Sequence, residues 1–401
     1  MRMLTAIPAP TPTSLAMRPE ILAFLHDAES ETIVRRALHA SAPEPDAVRR
    51  GRIGQAINHL KEHRSPNSLV VDISDIDLPL SSVRELAEVC EPGVNVVVVG
   101  NRGDIGLYRD LMHLGVSDYI VKPLNEDLVQ RAVQFGVAGA NPDTISQKLG
   151  KAVAVMGTRG GVGTTTIAVN LAWHLAYKQG RRVALVDFDL QTGDCGLMLD
   201  VKSTTGLREA LENSYRIDKV FLDRVMTARG ERLFVLSAEE SLRDELRFEP
   251  RSAETLIAAL QSEFHYVIID MPRVASAINL RAIELSPIRI VVADETIRSA
   301  REVVRLRSII GDGQGAQRNF LVINRSGERR PGYVGKRDFV EAVEMRVHLT
   351  IPHIANIGGG IASYGPPPAA GKGPMAQAVA ALAAEMSGRP APTRKWWAPW
   401  R

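Results

Sequence analysis

Residues 151–172, KAVAVMGTRGGVGTTTIAVNLA, contain the pattern that decides the fold of the second half of the chain. The apolar run 152–156 predicts a buried strand, and the apolar segment 167–172 predicts a helix. Between them lies a glycine-rich turn, so backbone N–H groups and a helix N-terminus converge on one point. Such a convergence binds phosphate, and we therefore predict a phosphate-binding loop at 157–166.

This loop departs from the usual G-x-x-x-x-G-K-[ST] pattern at two positions. Gly163 and Thr165 match it, but Thr158 replaces the first glycine and Thr164 replaces the lysine. That lysine normally reaches the β- and γ-phosphates, and a charge-assisted contact is stronger than a neutral one. We therefore expect weakened nucleotide binding and slow hydrolysis.

The composition limits the classes of function. The chain has 401 residues with 49 basic and 46 acidic side chains, and its net charge of +3 gives no general attraction to nucleic acid or membranes. Its two cysteines, Cys90 and Cys195, lie in different segments, which is typical of a reduced protein of the cytoplasm. No apolar run approaches the roughly 20 residues that span a bilayer. We expect a cytoplasmic location.

The chain divides into two α/β domains with tails. We predict a disordered tail over 1–18, a first domain over 19–138, a linker over 139–150, a second domain over 151–388 and a basic, aromatic tail over 389–401. Apolar runs alternate with amphipathic segments in both domains, which is typical of doubly wound parallel sheets.

Buried strands are expected wherever short apolar runs occur. In the first domain these are 21–25, 69–71, 94–99 and 119–121, with a weaker one near 43–48, and helices are expected around 29–40, 52–63, 81–89, 105–114 and 125–138. In the second domain the strands are 152–156, 183–186, 233–236, 266–269, 288–292 and 320–323, and a helix over 375–385 closes the domain.

Polar side chains follow several strands of the second domain. Asp187 and Asp189 follow one strand, Asp270 follows another, and Asn324 follows a third. Ligands of such sheets bind at the carboxyl ends of the strands, where carboxylates can hold Mg²⁺ and an amide can contact a base edge. The alternative for each aspartate is an ordinary helix cap.

With these features in this order, the chain resembles the P-loop ATPases that include MinD and ParA. Within them it resembles the CpaE/TadZ branch, the localisation ATPases of tight-adherence (Flp-type) pilus assembly. The resemblance covers about residues 150–388, and that branch also carries a receiver-like domain before the ATPase domain. It implies a MinD/ParA-like P-loop NTPase fold and a homodimer that holds ATP and Mg²⁺.

The resemblance also implies roles for individual residues. The loop residues would contact the phosphates, and these are Gly160, Gly161, Val162, Gly163, Thr164, Thr165 and Thr166. Thr165, Asp187 and Asp270 would hold Mg²⁺.

Further roles follow from the same resemblance. Asp189 would orient the attacking water, Asn324 would contact adenine, and Pro352 would begin the adenine-side loop. Arg159 stands where the family has a signature lysine that reaches the partner's phosphates. Arginine keeps the charge but offers a planar fork, and a trans-acting arginine can stabilise phosphoryl charge.

The first domain resembles response-regulator receivers. Asp72 follows an apolar strand at the phosphoacceptor position, and Lys122 matches the lysine that pairs with the phosphate. The paired acids after the first strand are reduced to His26-Asp27-Ala28, and Gly100 replaces the switch hydroxyl. We therefore predict a pseudo-receiver that recognises a partner or dimerises, with phosphorylation at Asp72 as the alternative.

The implied function is that of an ATP-binding localisation factor of a tight-adherence pilus secretion system, with the secretion ATPase and an inner-membrane platform as partners. Trp396, Trp397 and Trp400 in the basic tail suit a membrane interface or a partner pocket, so a peripheral location at the inner membrane or cell pole is expected.

The alternative functions are a nucleotide-independent dimeric scaffold and a ParA-type DNA-partitioning ATPase. Because basic residues are sparse between Asp338 and Ser387, no specific nucleic-acid partner is expected.

Overall fold

The computed structural model describes residues 18–39, 45–137, 149–202, 204–273, 276–313, 317–329, 331–354 and 367–388. These residues form two compact units, one within Ala16–Leu149 and one that starts at Gly150. Arg18 is buried in the first unit against Glu91, and Gly150 donates its N–H to the carbonyl of Gln261 at 2.8 Å in the second. The rest of the N-terminal tail, the linker from 139 to 148 and the tail over 389–401 lie outside the described residues.

The first unit alternates strands and helices along the chain. Its strands are β1 Ile21–Leu25, β2 Val48–Arg50, β3 Ser68–Asp72, β4 Asn95–Gly100 and β5 Asp118–Val121. Its helices are α1 Ala28–Ala37, α2 Ile53–Glu62, α3 Pro79–Val89, α4 Ile105–His113 and α5 Glu126–Val137, with a 3₁₀ turn at Pro45–Ala47.

Its sheet is parallel, in the order β2-β1-β3-β4-β5, which is the flavodoxin-like order. Each face carries its own apolar cluster, one covered by α1 and α5 and the other by α2, α3 and α4. The weak strand expected near 43–48 forms slightly later, at β2. The predicted doubly wound fold is confirmed, and the ends of β3 and β5 lie on the same edge of the sheet.

The second unit also alternates strands and helices. Its strands are β6 Lys151–Gly157, β7 Val183–Asp187, β8 Thr227–Arg229, β9 Leu233–Leu236, β10 Tyr266–Asp270, β11 Ile288–Ala293, β12 Arg318–Ser326 and β13 Val347–Pro352. Its helices are α6 Thr164–Tyr177, α7 Cys195–Leu199, α8 Gly206–Glu212, α9 Lys219–Val225, α10 Pro250–Glu263, α11 Ala277–Leu285, α12 Ile297–Ile310, α13 Lys336–Val343 and α14 Pro374–Met386, with 3₁₀ turns at Ser214–Arg216 and Pro368–Ala370.

The second sheet has the order β13-β12-β11-β6-β10-β7-β9-β8, and only the edge strand β8 is antiparallel to its neighbour. Helices α6, α7 and α14 cover one face, while α8 to α13 cover the other. The six predicted strands are present. β8 and β13 are additions at the two edges.

This topology places the functional edge of the second sheet. β6 lies between β11 and β10, and β10 lies between β6 and β7. Because these strands are parallel, their carboxyl ends meet at one edge, where the loop after β6 faces the aspartates after β7 and β10. Among the described helices, none has the length and apolarity needed to cross a lipid bilayer.

Candidate functional site

The phosphate-binding loop is held in shape by a glycine. Gly163 precedes α6 with φ +97°, a left-handed conformation that glycine adopts without strain. A Cβ at this position would lie 2.4 Å from Nδ2 of Asn324, so a side chain has no space. Gly163 therefore allows the loop to turn closely against the end of β12.

Asn324 is tied to this loop by its amide. Its Nδ2 donates to the carbonyl of Val162 at 2.9 Å, and its Oδ1 accepts from the N–H of Arg325 at 3.0 Å. An asparagine amide carries two donors and two acceptor lone pairs. One N–H and one lone pair therefore remain for a ligand on a side chain whose orientation is already fixed.

The two substituted loop positions have different environments. Thr158 is buried, and its hydroxyl contacts the carbonyl of Val292 at 3.2 Å and the hydroxyl of Ser299 at 2.9 Å. Thr164 begins α6 and borders the cavity, with its hydroxyl lying over the backbone of Gly157. Thr158 therefore anchors the loop, whereas Thr164 occupies the place of the missing lysine without its charge.

Two buried carboxylates meet at the ends of β7 and β10. Asp187 accepts from the backbone N–H of Cys195 at 3.0 Å and of Asp189 at 3.2 Å. Burial raises the pKa of Asp187 to about 6 although these N–H groups act in the opposite direction. Burial and the neighbouring charge of Asp187 raise the pKa of Asp270 to about 7, while hydrogen bonding from Thr165 opposes the rise. The structure thus brings the three predicted Mg²⁺ ligands together.

Asp189 lies at the rim of the same edge. Its Oδ1 accepts from the N–H of Thr192 at 2.9 Å, and its Oδ2 accepts from the hydroxyl of Thr192 at 2.6 Å. Both oxygens keep further lone pairs, and Asp189 borders the cavity. The carboxylate is therefore fixed in direction and available to accept from a water molecule.

Arg159 does not extend freely into the cavity. Its guanidinium forms an ion pair with Asp294, which follows β11, and also donates to the carbonyl of Gly160 at 3.0 Å. Burial acts to raise the pKa of Asp294, but hydrogen bonds from Arg159, Ser299 and Thr296 lower it, so the buried carboxylate is held ionised.

These elements enclose a cavity of about 410 Å³. Its lining includes the loop from Arg159 to Thr166 without Val162, together with Asp189 and Asp270. Three predicted site residues, Asp187, Asn324 and Pro352, are not part of this lining, and Pro352 ends the edge strand β13, paired with Ser326.

Sequence reasoning missed two cations of the cavity. Arg273, three residues after Asp270, and Arg325, next to Asn324, both line it. Within the described part of the chain, neither guanidinium has an ion-pair partner, whereas Arg159 has one. Their positions, within three residues after Asp270 and next to Asn324, were the only signal in the sequence.

The predicted receiver-like site in the first unit is closed by an ammonium group. Nζ of Lys122 lies 2.6 Å from Oδ2 of Asp72 and 2.5 Å from Oδ2 of Asp27. Asp72 also accepts from the N–H groups of His26 and Ser74. Burial acts to raise the pKa of Asp72, but hydrogen bonds from Lys122 and Ser74 lower it. The lysine therefore compensates the carboxylates that a receiver would offer to a metal.

The glycine at the switch position has a steric reason. A Cβ on Gly100 would lie 2.5 Å from the hydroxyl oxygen of Tyr119. That hydroxyl donates to the carbonyl of Arg102 at 2.8 Å, and the ring is buried. The tyrosine therefore excludes the serine or threonine that a receiver carries at this place.

Comparisons with known proteins agree with the geometry of the second unit. A family model described as an AAA domain matches residues 150–323. The septum site-determining protein MinD of Bacillus subtilis is 27% identical over 205 residues, which cover 51% of this chain and 74% of that protein. MinD of Helicobacter pylori is 27% identical over 213 residues, which cover 51% of this chain and 76% of that protein.

Solved structures show the same fold. A ParA family ATPase from Chlorobium tepidum aligns with a TM-score of 0.53 at 19% identity, covering 58% of this chain and 98% of that one. MinD from Pyrococcus horikoshii, complexed with Mg-ADP, aligns with a TM-score of 0.51 at 20% identity, covering 59% of this chain and 96% of that one. The second unit thus has the fold of the MinD and ParA P-loop domains.

Proposed function

We propose that this MinD/ParA-type P-loop domain binds ATP with Mg²⁺ in its cavity, and that the bound nucleotide controls dimerisation with slow turnover. The observation that carries the proposal is the convergence, on one cavity of about 410 Å³, of the glycine-rich loop, the N-terminus of α6 and the carboxylates after β7 and β10. A volume of this size suits a nucleotide-sized ligand.

The residues present fit a magnesium nucleotide. Thr165, Asp187 and Asp270 supply oxygen donors of the kind Mg²⁺ prefers, and Oδ1 of Asp270 is buried without a hydrogen-bond partner among the described residues. When bound, Mg²⁺ would neutralise phosphate charge. The chain itself contributes the N–H groups of the loop for the phosphates and the Asp189 carboxylate to orient a water.

Arg273 and Arg325 support phosphate or base binding in a loop without its lysine. Both line the cavity, and neither is neutralised by an ion pair within the described residues. A guanidinium gives bidentate, charge-assisted contacts to phosphate. We infer that these arginines replace part of the attraction lost at Thr164.

The proposed switch requires Arg159 to exchange partners. In the single chain Arg159 pairs with Asp294. For the arginine to reach nucleotide in a second protomer, that pair must open, and charge on the partner's phosphates would compensate the guanidinium. Dimerisation would then depend on nucleotide, since without phosphate the arginine stays with its own carboxylate.

The cellular role that we propose is localisation and assembly of a tight-adherence pilus secretion system, with its secretion ATPase and inner-membrane platform as partners. Support comes from the order of the receiver-like and P-loop domains and from the strand-end residues described above. The tryptophan-rich tail would provide a peripheral membrane or partner contact.

A nucleotide-independent dimeric scaffold is the second candidate. It is favoured by one observation, the closure of Arg159 on Asp294 next to a loop without lysine. In this case the loop would serve only as a structural turn. ATP would then change neither the association state nor the stability of the protein.

Calorimetric titration of the full chain with Mg-ATP separates the two candidates. The nucleotide switch predicts saturable binding, weakened by Thr165→Ala, and a shift toward dimer in light scattering when ATP is present. Thr255→Ala, which removes an exposed hydroxyl of α10 outside the cavity, serves as a control that should leave binding unchanged. Absence of heat and of any shift in mass would leave the scaffold as the function of this domain.

A further inference from the structure

A thiol lies between the two buried carboxylates of the second unit. Cys195 begins α7, is fully buried, and has its Sγ 3.6 Å from Oδ2 of Asp270. Its backbone N–H donates to Oδ2 of Asp187 at 3.0 Å. One oxygen of each carboxylate and the sulfur all lie within 4.8 Å of one another. No role in nucleotide binding requires this thiol.

The spacing suits a small tetrahedral ion. With a metal–sulfur bond of about 2.3 Å and a metal–oxygen bond of about 2.1 Å, tetrahedral geometry separates sulfur and oxygen by about 3.6 Å. The thiol of Cys195 donates a hydrogen bond to Oδ2 of Asp270 over this same distance, so an ion would replace the proton with little displacement of the two atoms. The ligand set, two carboxylates and one thiolate, is one that zinc and cobalt accept.

A second observation points to a missing ligand. Oδ1 of Asp270, the other oxygen of the carboxylate whose Oδ2 faces Cys195, is buried and has no hydrogen-bond partner among the described residues. Such an oxygen is costly unless a cation or donor meets it. Of the three side chains Asp270 also lines the cavity, which is the side from which an ion and its water ligand would enter.

We propose that Asp187, Cys195 and Asp270 form a binding site for a thiophilic divalent cation such as Zn²⁺, with water as the fourth ligand, that fills without nucleotide. The site differs in chemistry from the magnesium position proposed above, because a hard cation prefers oxygen alone and thiolate selects softer ions. It needs neither phosphate nor the hydroxyl of Thr165.

The binding step is a simple exchange. The sulfur of Cys195 loses its proton to solvent as the metal–sulfur bond forms, and the hexaaquo ion releases five waters as the three protein ligands bind and one water stays as the fourth ligand. No electron is transferred. The ion's two positive charges then offset most of the negative charge gathered at the three side chains, which burial otherwise opposes.

Titration of the full chain with Co²⁺, in the absence of nucleotide, tests this site directly. Thiolate bound to Co²⁺ gives a near-ultraviolet charge-transfer band, and four-coordinate Co²⁺ gives visible bands. We expect both, saturating at one ion per chain, and we expect Zn²⁺ to displace them. Cys195→Ser should abolish the charge-transfer band, while Cys90→Ser, which removes the other cysteine of the chain, should leave it unchanged.

Two outcomes overturn the proposal: no charge-transfer band in the wild type, or a band that survives Cys195→Ser. Circular dichroism and a Mg-ATP titration of Cys195→Ser establish whether the variant is folded. If Mg-ATP binds while Co²⁺ gives no thiolate band, the thiophilic site is excluded and the nucleotide proposal stands. If the band appears but Mg-ATP does not bind, the thiophilic site stands and the nucleotide proposal is excluded.

Discussion

Arg159 and Asp294, which lie 135 positions apart in the chain, form an ion pair between the phosphate-binding loop and the end of β11. The carboxylate is buried and also accepts from the hydroxyls of Ser299 and Thr296. Because the side chain of Asp294 is 6% exposed, the pair is poorly screened by water. Arg159, the cation that the proposed dimer would need, is therefore already paired with a carboxylate of its own chain.

Replacing Asp294 tests whether this pair restrains assembly. Asp294→Asn keeps a hydrogen-bond acceptor for Ser299 and Thr296 but removes the charge that holds Arg159. A charge-assisted hydrogen bond is worth about 1.5–3 kcal/mol, so we expect the ATP-dependent dimer to tighten by roughly 10-fold or more. Sedimentation velocity across a range of protein concentrations, with and without Mg-ATP, measures the dissociation constant.

Asp312→Asn is the matched control for this experiment. Asp312 also pairs with an arginine, Arg307, but its side chain is 70% exposed and lies outside the cavity. We expect no change in association. Equal dissociation constants for wild type and Asp294→Asn would show that the pair is structural only.

Arg273 and Arg325, which have no ion-pair partner within the described residues, should contribute to nucleotide affinity. Arg273→Ala and Arg325→Ala each remove one guanidinium, and we expect each to weaken Mg-ATP binding by about 10-fold. Arg305→Ala removes a cation of α12 that lies outside the cavity and should have no effect. Calorimetry measures all three, and unchanged affinity in both cavity variants would exclude the arginines as replacements for the lysine.

Restoring the missing lysine should strengthen binding. Thr164 borders the cavity at the start of α6, so a lysine in its place can extend toward the phosphates. We expect Thr164→Lys to raise the affinity for Mg-ATP by about 10-fold and to raise the rate of phosphate release. Thr164→Met supplies a similar length without charge. A methionine variant that binds as tightly as the lysine variant would contradict the electrostatic explanation.

The buried carboxylates predict a pH-dependent stability. The pKa values of Asp187 and Asp270 rise from 3.8 to about 6 and about 7 on folding. The folded protein therefore binds more protons, and the contribution of these groups is fully present below about pH 4 and is lost as pH rises through 7. Denaturant unfolding between pH 4.5 and 8 should show this decline.

Asp270→Asn provides the comparison for the pH series. The amide has no charge to bury, so we expect a weaker decline and a higher free energy of unfolding at pH 8 than in the wild type. Addition of a divalent cation at pH 8 should stabilise the wild type more than the variant. Parallel curves for both proteins would show that Asp270 does not cause the pH dependence.

Lys122 should stabilise the first unit. Its ammonium neutralises Asp72, whose side chain is fully buried. Removing one partner of a buried pair costs about 3–5 kcal/mol, so Lys122→Met should lower the free energy of unfolding by an amount near that range. Lys61→Met removes an exposed pair with Glu85 and should change stability by less than about 1 kcal/mol. Similar losses in the two variants would contradict the proposed role of Lys122.

Most of the fold could be predicted from the sequence because the strands buried on both faces are short apolar runs. β10, YVIID, and β7, VALVD, are examples in which every residue is buried. β8 has only three residues, TAR, and pairs at an edge, so no apolar run marks it. β13 alternates apolar and polar residues at the other edge, a weaker pattern than a continuous run.

The site could be predicted where it depends on strand ends, and not where it depends on contacts distant in sequence. Asp187 and Asp270 follow visible strands, so parallel topology alone brings them together. The pairing of Arg159 with Asp294 and the approach of Cys195 to Asp270 depend on how loops pack. In the sequence, Cys195 only indicated a reducing compartment.

The bond from Asn324 to the carbonyl of Val162 has a consequence for ligand discrimination. This amide holds the loop that would surround the phosphates, and the resemblance to MinD and ParA implies that it also contacts the base. A ligand that pulls on the amide therefore also moves the loop, whereas inorganic triphosphate touches the loop alone. Nucleotides that differ only in their base should then differ in how firmly the loop holds their phosphates.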